Sequence, residues 1–375
     1  MLPLFYVISH YSNLPFRAWE QRKFIEIINR LSKTSNSSIL PKVEYEDIIA
    51  EEGRLNKDIS NKFDSRKGIL FQPKNILYGK LRPYLKNWLY PDFKGVAVGD
   101  FWVFEAIEAT PRFIYNLIQS DSYQKVANDT AGTKMPRSDW TKVSNSSFFI
   151  PKESSEQKRI GTFFKQLDDT IALHQRKLDT LKQMKKGLLQ QMFPKSEEDV
   201  PKIRFADFDE EWYQRKLGEE FEKINERNDG SFGKTHWISV AKMYFVEPNK
   251  VLSNNIDTRT YVMRKGDIAF EGHSNTDFKF GRFVANDIGP GIVSELFPVY
   301  RHKTNYDNNY WKNAIQLEHI MAPIYSKSIT SSGNSSNKLD SKHFLNQKIY
   351  IADFEEQEKI GSIFKQLDNT IILYQ

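Results

Sequence analysis

The stretch EQKRIGTFFKQLDDTIALHQ, Glu156–Gln175, returns as EQEKIGSIFKQLDNTIILYQ, Glu356–Gln375, at an offset of 200 residues. Thirteen of the 20 positions are identical and no gap is needed. Alternating steps of four and three from Ile160 land on Ile160, Phe164, Leu167, Ile171, His174, Leu178, Leu181, Lys185, Leu188 and Met192. Eight of these ten are apolar, which is the 3.5-residue period of a helical seam. The second copy repeats the seam at Ile360, Phe364, Leu367, Ile371 and Tyr374. No proline interrupts Glu156–Phe193, and Pro194 stops the helix. Ser154 or Ser155 reads as the N-cap, with Glu156 and Gln157 in the first turn. Such a helix spans roughly 55–60 Å. An apolar seam exposed to water needs a partner, and the nearest is the other copy. Residues 153–195 carry nine Lys/Arg against five Asp/Glu, and residues 353–375 carry two against five. That opposition of sign favours pairing.

Gly161 and Gly361 occupy the same place in both copies. A glycine inside a helix costs about 1 kcal/mol against alanine. Its repetition reads either as a close backbone approach or as neutral inheritance after duplication. A weaker repeat lies upstream of each large segment: AWEQRKF at Ala18–Phe24 and EWYQRKL at Glu211–Leu217. Between these landmarks the sequences diverge. ILYGKLRPYLKNW (Ile76–Trp88) has only a loose counterpart in GDIAFEGHSNTDF (Gly266–Phe278). VGDFWVF (Val98–Phe104) resembles VSELFPVY (Val293–Tyr300) only in apolar pattern. The expected organisation is a first α+β domain over 1–152, a helix over 153–195, a second α+β domain over 196–352 with a linker at 196–210, and a shorter helix over 353–375. FIEIINRL (Phe24–Leu31) and FIYNLIQSDSYQKVAND (Phe113–Asp129) read as helical. YVMRKGDIAF (Tyr261–Phe270), GRFVA (Gly281–Ala285) and KIYIA (Lys348–Ala352) read as strands.

With 375 residues, 39% of them hydrophobic, the chain can bury more than one core. It has no cysteine, so disulfides and thiolate metal sites are excluded, as suits a reducing compartment. The apolar opening MLPLFYVIS lacks a basic start and a small-residue cleavage site, and no run reaches the roughly 20 apolar residues of a membrane span. A soluble, cytoplasmic protein is expected. Residues 1–152 hold 22 Lys/Arg against 16 Asp/Glu, and the second segment is also basic beyond residue 226. Basic faces of this kind hold phosphate backbones or are simply solvated. Catalytic signatures are missing. GSFGKT (Gly230–Thr235) has its glycines too close for a phosphate loop. The seven histidines are scattered, without metal-ligand spacing. Asp168 and Asp169 are adjacent on a helix and point about 100° apart, so they are no acid/base pair.

The repeats EQxxIGxxFKQLDxTIxLxQ, the continuation RKLDTLKQMKKGLLQQMFP (Arg176–Pro194) and PKIRFADFDEEWYQRKL (Pro201–Leu217) resemble the specificity subunit of type I restriction–modification systems. The resemblance runs over essentially the whole chain. It implies an α+β fold with two target recognition domains, separated by long conserved helices that pair as an antiparallel coiled coil with pseudo-two-fold symmetry. Each domain would read one half of a bipartite, non-palindromic DNA target. The helices would set the spacing and dock two modification subunits, which methylate adenine; two restriction subunits would complete the complex. S-adenosylmethionine, ATP and Mg would belong to those partners, and no cofactor, metal or catalysis to this chain. The competing reading is a DNA-binding or scaffold protein outside restriction that uses the coiled coil only for assembly. The chain departs from the family in two places. The second helix has no counterpart of Arg176–Pro194, so a partner lying antiparallel would cover the C-terminal half of the first helix and leave Ile160–Ile171 bare. Met1–Leu14 does not match the run-in before the second domain.

Bases are read by side chains on loops, with Lys and Arg on phosphates. In the first domain GKLRPY offers Lys80, Arg82 and Tyr84, and GTKMPRSDW adds Lys134 and Arg137. In the second, EGHSNTDFKFGR offers His273, Ser274, Asn275, Lys279 and Arg282. SSGNSSNKLDSKHF offers Asn334, Asn337, Lys338 and Lys342. The members of each pair of loops occupy similar places in their domains, as a duplicated reading surface requires.

Overall fold

The computed structural model describes residues 19–130, 134–195, 198–252, 256, 259–332 and 336–375. The chain forms two compact units, Met1–Ala172 and Leu173–Gln375, and the boundary falls inside the helix Ser154–Gln191.

In the first unit the central sheet runs in the order Ile28–Leu31, Phe101–Ala106, Ile76–Gly79, Trp88–Leu89, all antiparallel. Successive side chains on a strand point to opposite faces, and here both faces are buried. Ile76, Tyr78, Trp102 and Phe104 pack against the helices Pro111–Gln119 and Asp121–Ala127. Leu77, Phe101 and Val103 face the second sheet, joining Val43, Phe71 and Ala97. In the second unit the sequence is different but the order is the same: Phe221–Ile224, Val299–His302, Ile268–Glu271, Arg282–Ala285. Ile268, Phe270, Phe283 and Tyr300 pack towards the helices Asn308–Ala314 and Glu318–Ser328. Ala269, Val284 and Val299 face the other way. Strands buried on both faces require only an apolar run, which is why the two copies share a pattern and not identities.

Each unit closes on itself. Trp19–Lys23 pairs antiparallel with Ser147–Pro151, and Tyr213–Lys216 with Lys348–Ile351. The second member of each pair feeds directly into a repeated helix. The paired landmarks of the sequence then meet. Trp19 Nε1 donates to Glu156 Oε1 at 3.1 Å, and Trp212 Nε1 donates to Glu356 Oε2 at 3.0 Å. Gln157 accepts from Thr110 N at 2.8 Å and donates to Pro151 O at 2.9 Å. Gln357 repeats this with Asp307 N (3.4 Å) and Ala352 O (2.9 Å). One turn on, a Cβ on Gly161 would sit 3.0 Å from Arg112 Cγ, and one on Gly361 would overlap Asp307 Oδ1 and lie 3.0 Å from Tyr310 N. The close-approach reading of the paired glycines holds.

Within the second unit, the C-terminal half of the long helix and the helix Phe354–Leu373 run antiparallel. His174 meets Tyr374 with ring centroids 5.3 Å apart, Lys185 Nζ lies 2.5 Å from Asp368 Oδ1, and Phe193 meets Phe364 at 6.1 Å. Ile360, Phe364, Leu367 and Ile371 are buried there, with Leu178 and Met192 opposite and Leu181 and Leu188 half-buried. The identical seam at the start of the long helix is different. Ile160 packs on the first unit's core, but Phe164, Leu167 and Ile171 are 45%, 41% and 67% exposed.

Four expectations need correction. The long helix begins at Ser154, so Ser154 and Ser155 lie inside it and are not the cap. Phe24–Leu31 is helical only to Ile27, and Ile28–Leu31 is a strand. Phe113–Asp129 is two helices broken at Ser120. Tyr261–Phe270 is two strands, parted by a turn in which Gly266 takes φ 92°. The linker is also more than a tether. Arg204 holds Glu356 through two bonds of 2.8 Å, and Lys359 reaches Asp207 at 2.9 Å.

Glu356 is fully buried and carries Arg204 and Trp212, whereas Glu156 is half-buried and carries only Trp19. Glu356→Ala leaves the half-buried Arg204 guanidinium without its anion and the buried Trp212 N–H without its acceptor, and is expected to cost about 3 kcal/mol. Glu156→Ala is expected to cost about 1 kcal/mol. Urea unfolding of the full chain measures both, and equal losses would refute the assignment.

Candidate nucleic-acid interface

The loops singled out in the sequence leave the same end of equivalent strands. In the first unit, Lys80–Lys86 follows the strand Ile76–Gly79 and returns into Trp88–Leu89. Residues 134–138 lie against it. Leu81 bridges Arg137, Arg82 N donates to Pro136 O at 2.7 Å, and Ser138 N donates to Lys80 O at 2.8 Å. Lys80, Arg82 and Arg137 are thus brought together by backbone bonds, and Lys134 is exposed in the same segment. Asp100 sits between two of them, 3.6 Å from Lys80 Nζ and 3.0 Å from Arg137 Nη2. Tyr84 stands exposed on a short turn whose flanks, Arg82 (φ 48°) and Lys86 (φ 55°), are both left-handed. A non-glycine residue there costs about 1–3 kcal/mol, and such strain clusters where backbone shape serves a function.

In the second unit, the loop Gly272–Gly281 follows Ile268–Glu271 and returns into Arg282–Ala285. The strand Asn337–Leu339 lies against its base. Asn337 N donates to Gly272 O at 2.9 Å, and Asn337 Nδ2 donates to Ser274 Oγ at 3.0 Å. A Cβ on residue 272 would collide with Asn337 O, so only glycine permits this approach. His273, Ser274, Asn275, Lys279 and Lys338 are exposed around the junction. The His273 ring is held by Glu271, a buried carboxylate that also accepts from His273 N at 3.0 Å. Asn275 Oδ1 shapes the turn by accepting from Asp277 N and Phe278 N, both at 2.9 Å.

Arg282 and Lys342 are placed differently. The Arg282 guanidinium lies 4.8 Å from the Phe278 ring centroid and donates to Ala241 O at 2.6 Å, so it braces the loop. Lys342 is exposed on the helix Ser341–Leu345, with no bond to either loop among the described residues. Asn334 lies outside the described residues.

The sequence reading missed a third contributor. In the first unit the hairpin Ile48–Leu55 reaches the turn: Glu51 N donates to Lys86 O at 3.0 Å, and its carboxylate lies 3.1 Å from Lys86 Nζ. In the second, the hairpin Ile238–Phe245 is tied on by Arg282 and exposes Lys242. Lys86 and Lys242 therefore join the basic set. Lys86 lies within the first unit's loop but beyond the GKLRPY run, and Lys242 is a single lysine in a turn well before the loop it joins. No group of three His, Asp or Glu among the described residues is arranged to hold a metal ion, and no described helix is long and apolar enough to cross a membrane.

Residues 18–183 match the family model of the type I restriction modification DNA specificity domain. No curated protein matches the chain. Two solved structures share its fold along nearly the full length. One is the S subunit of a type I restriction-modification system from M. genitalium, at 14% identity and TM-score 0.56, covering 97% of this chain and 92% of that one. The other comes from work on complex assembly and conformational transition of the type I R-M system, at 17% identity and TM-score 0.53, covering 96% and 93%.

For the lysine and arginine beside the Lys80–Lys86 turn, the expectation is quantitative. Lys134→Ala and Arg137→Ala should weaken duplex binding across sequences and flatten the dependence of log affinity on log salt by about one for each phosphate no longer neutralised. Titration of DNA into the full chain at several salt concentrations measures this; an unchanged slope removes both residues from the interface.

Proposed function

We propose that this chain, whose residues 18–183 match the family model of the type I restriction modification DNA specificity domain, is the DNA-reading subunit of a type I restriction–modification complex. The observation that carries this is the repetition of one scaffold with two different loop sets. Both units have the same strand order and the same Trp–Glu and Gln anchors at the repeated helix. Their loops share almost no residue: Lys80, Arg82 and Tyr84 stand where the second unit has His273, Ser274 and Asn275. Equivalent scaffolds with unequal loops suit a bipartite target with unequal halves. The helices would fix the separation of the halves, since a rigid helix transmits spacing along the duplex in units of the roughly 34–36 Å turn.

Two modification subunits would dock on the repeated helices and carry the chemistry. A base inside a duplex is methylated only after it is flipped out. The methyl donor S-adenosylmethionine, and the ATP and Mg of two restriction subunits, would therefore sit on those partners. The exposed seam at Phe164, Leu167 and Ile171 is one surface such a subunit would cover.

Genome-wide methylation sequencing of cells with and without this chain tests the proposal. An adenine-methylated motif in two unequal parts, separated by a fixed spacer, should vanish with the chain. An unchanged methylation pattern, together with preserved duplex binding, would favour a DNA-binding scaffold outside restriction.

A further inference from the structure

The two reading loops differ in what they carry at the tip. In the second unit the exposed residues are His273, Ser274, Asn275, Thr276, Asp277 and Lys279, while Phe278 and Phe280 are half-buried. In the first unit Pro83 is buried, and the next two side chains, Tyr84 and Leu85, are 55% and 41% exposed. Across the bridge from Leu81 to Arg137, Met135 is 48% exposed.

This apolar tip is held out by its backbone. Leu85 N donates to Arg82 O at 2.8 Å and Lys86 N to Pro83 O at 2.9 Å. Arg82 N is already committed to Pro136 O. The left-handed residues Arg82 and Lys86 bracket the turn. A surface turn of ordinary function would relax such a conformation or place glycine there. Here the shape is retained, and it keeps two large side chains in water. Around them the rim is charged: Arg82 is exposed, Lys86 pairs with Glu51 and Arg137 with Asp100. An apolar protein partner would bury those charges at a cost. A duplex would satisfy both parts: phosphates meet the rim, and a partly unstacked base step receives the tip.

We propose that Tyr84 and Leu85 form a wedge that enters a base step within the half-site read by the first unit, with Met135 beside it. The second unit, with polar residues at its tip, reads its half-site without unstacking. The wedge rests on the DNA-reading role proposed above and adds a mode of recognition to it. Sequence dependence at the wedged step is then indirect. Steps that unstack easily, such as TA and CA, are accepted, and stiff ones are rejected, without a hydrogen bond to either base.

The test uses the full chain and duplexes bearing the motif that methylation sequencing defines, with 2-aminopurine substituted at one position at a time. Emission is expected to rise on binding at one step in the first unit's half-site and at none in the other. Tyr84→Ala/Leu85→Ala should return that emission to the level of free duplex and weaken binding by about tenfold, as loss of base stacking does. The salt slope should stay unchanged because no charge is removed. A Lys134→Ala chain provides the opposite signature, a flatter salt slope with the emission retained. Duplex binding with no emission change at any position overturns the wedge and leaves the DNA-reading role standing. Emission that survives in the double variant also overturns it. A wild-type chain that binds none of the duplexes overturns both.

Discussion

The buried side-chain amides of Gln157 and Gln357 connect everything else in this molecule. Each accepts from the backbone N–H of the residue that caps a domain helix, Thr110 or Asp307, and donates to a carbonyl at the end of the last strand, Pro151, or just past it, Ala352. Three elements meet at one amide: domain helix, final strand and repeated helix. Were it lost, two buried backbone groups would be left unpaired, at about 1–3 kcal/mol each. Because an amide supplies both a donor and an acceptor in a fixed plane, it also sets the direction in which the helix leaves the unit. The glycine one turn later then lets the helix lie against the domain helix. The candidate loops at the far ends of the central strands are thereby tied to the helix through the packed core of each unit.

The helices were legible because their periodicity is strong and local. The strands were legible as apolar runs but not as equivalent runs. Val98–Phe104 and Val293–Tyr300 contain the same sheet position, yet burial on both faces constrains only apolarity. Where the reading failed, the local signal pointed the wrong way. Phe24, Ile27, Ile28 and Leu31 fall at i, i+3, i+4 and i+7, a helical spacing. Ile28 and Leu31 nevertheless pair with Ala106 and Val103 in the central sheet. Long-range pairing overrode a short helical pattern, as tertiary context commonly does.

For the candidate interface the balance is different. The turn residues, glycines and cations singled out loops that proved, within each unit, to be hydrogen-bonded neighbours. Which cations face outward depended on partners distant in sequence. Arg282 is spent on Phe278 and Ala241, Lys86 is paired with Glu51 of a distant hairpin, and Lys242 is carried in on another. The left-handed turn at Arg82–Lys86 carries no glycine, so its strain was invisible in the letters.

The first strand of each unit, at Trp19 or Tyr213, lies beside its last, so the chain enters and leaves each unit at neighbouring points. A tryptophan and a glutamine on either side of that seam secure the junction. Any insert whose two ends meet these anchors could replace what lies between them without disturbing the helices. The molecule is thus built as a pair of sockets, each of which grips the two ends of its contents at one place.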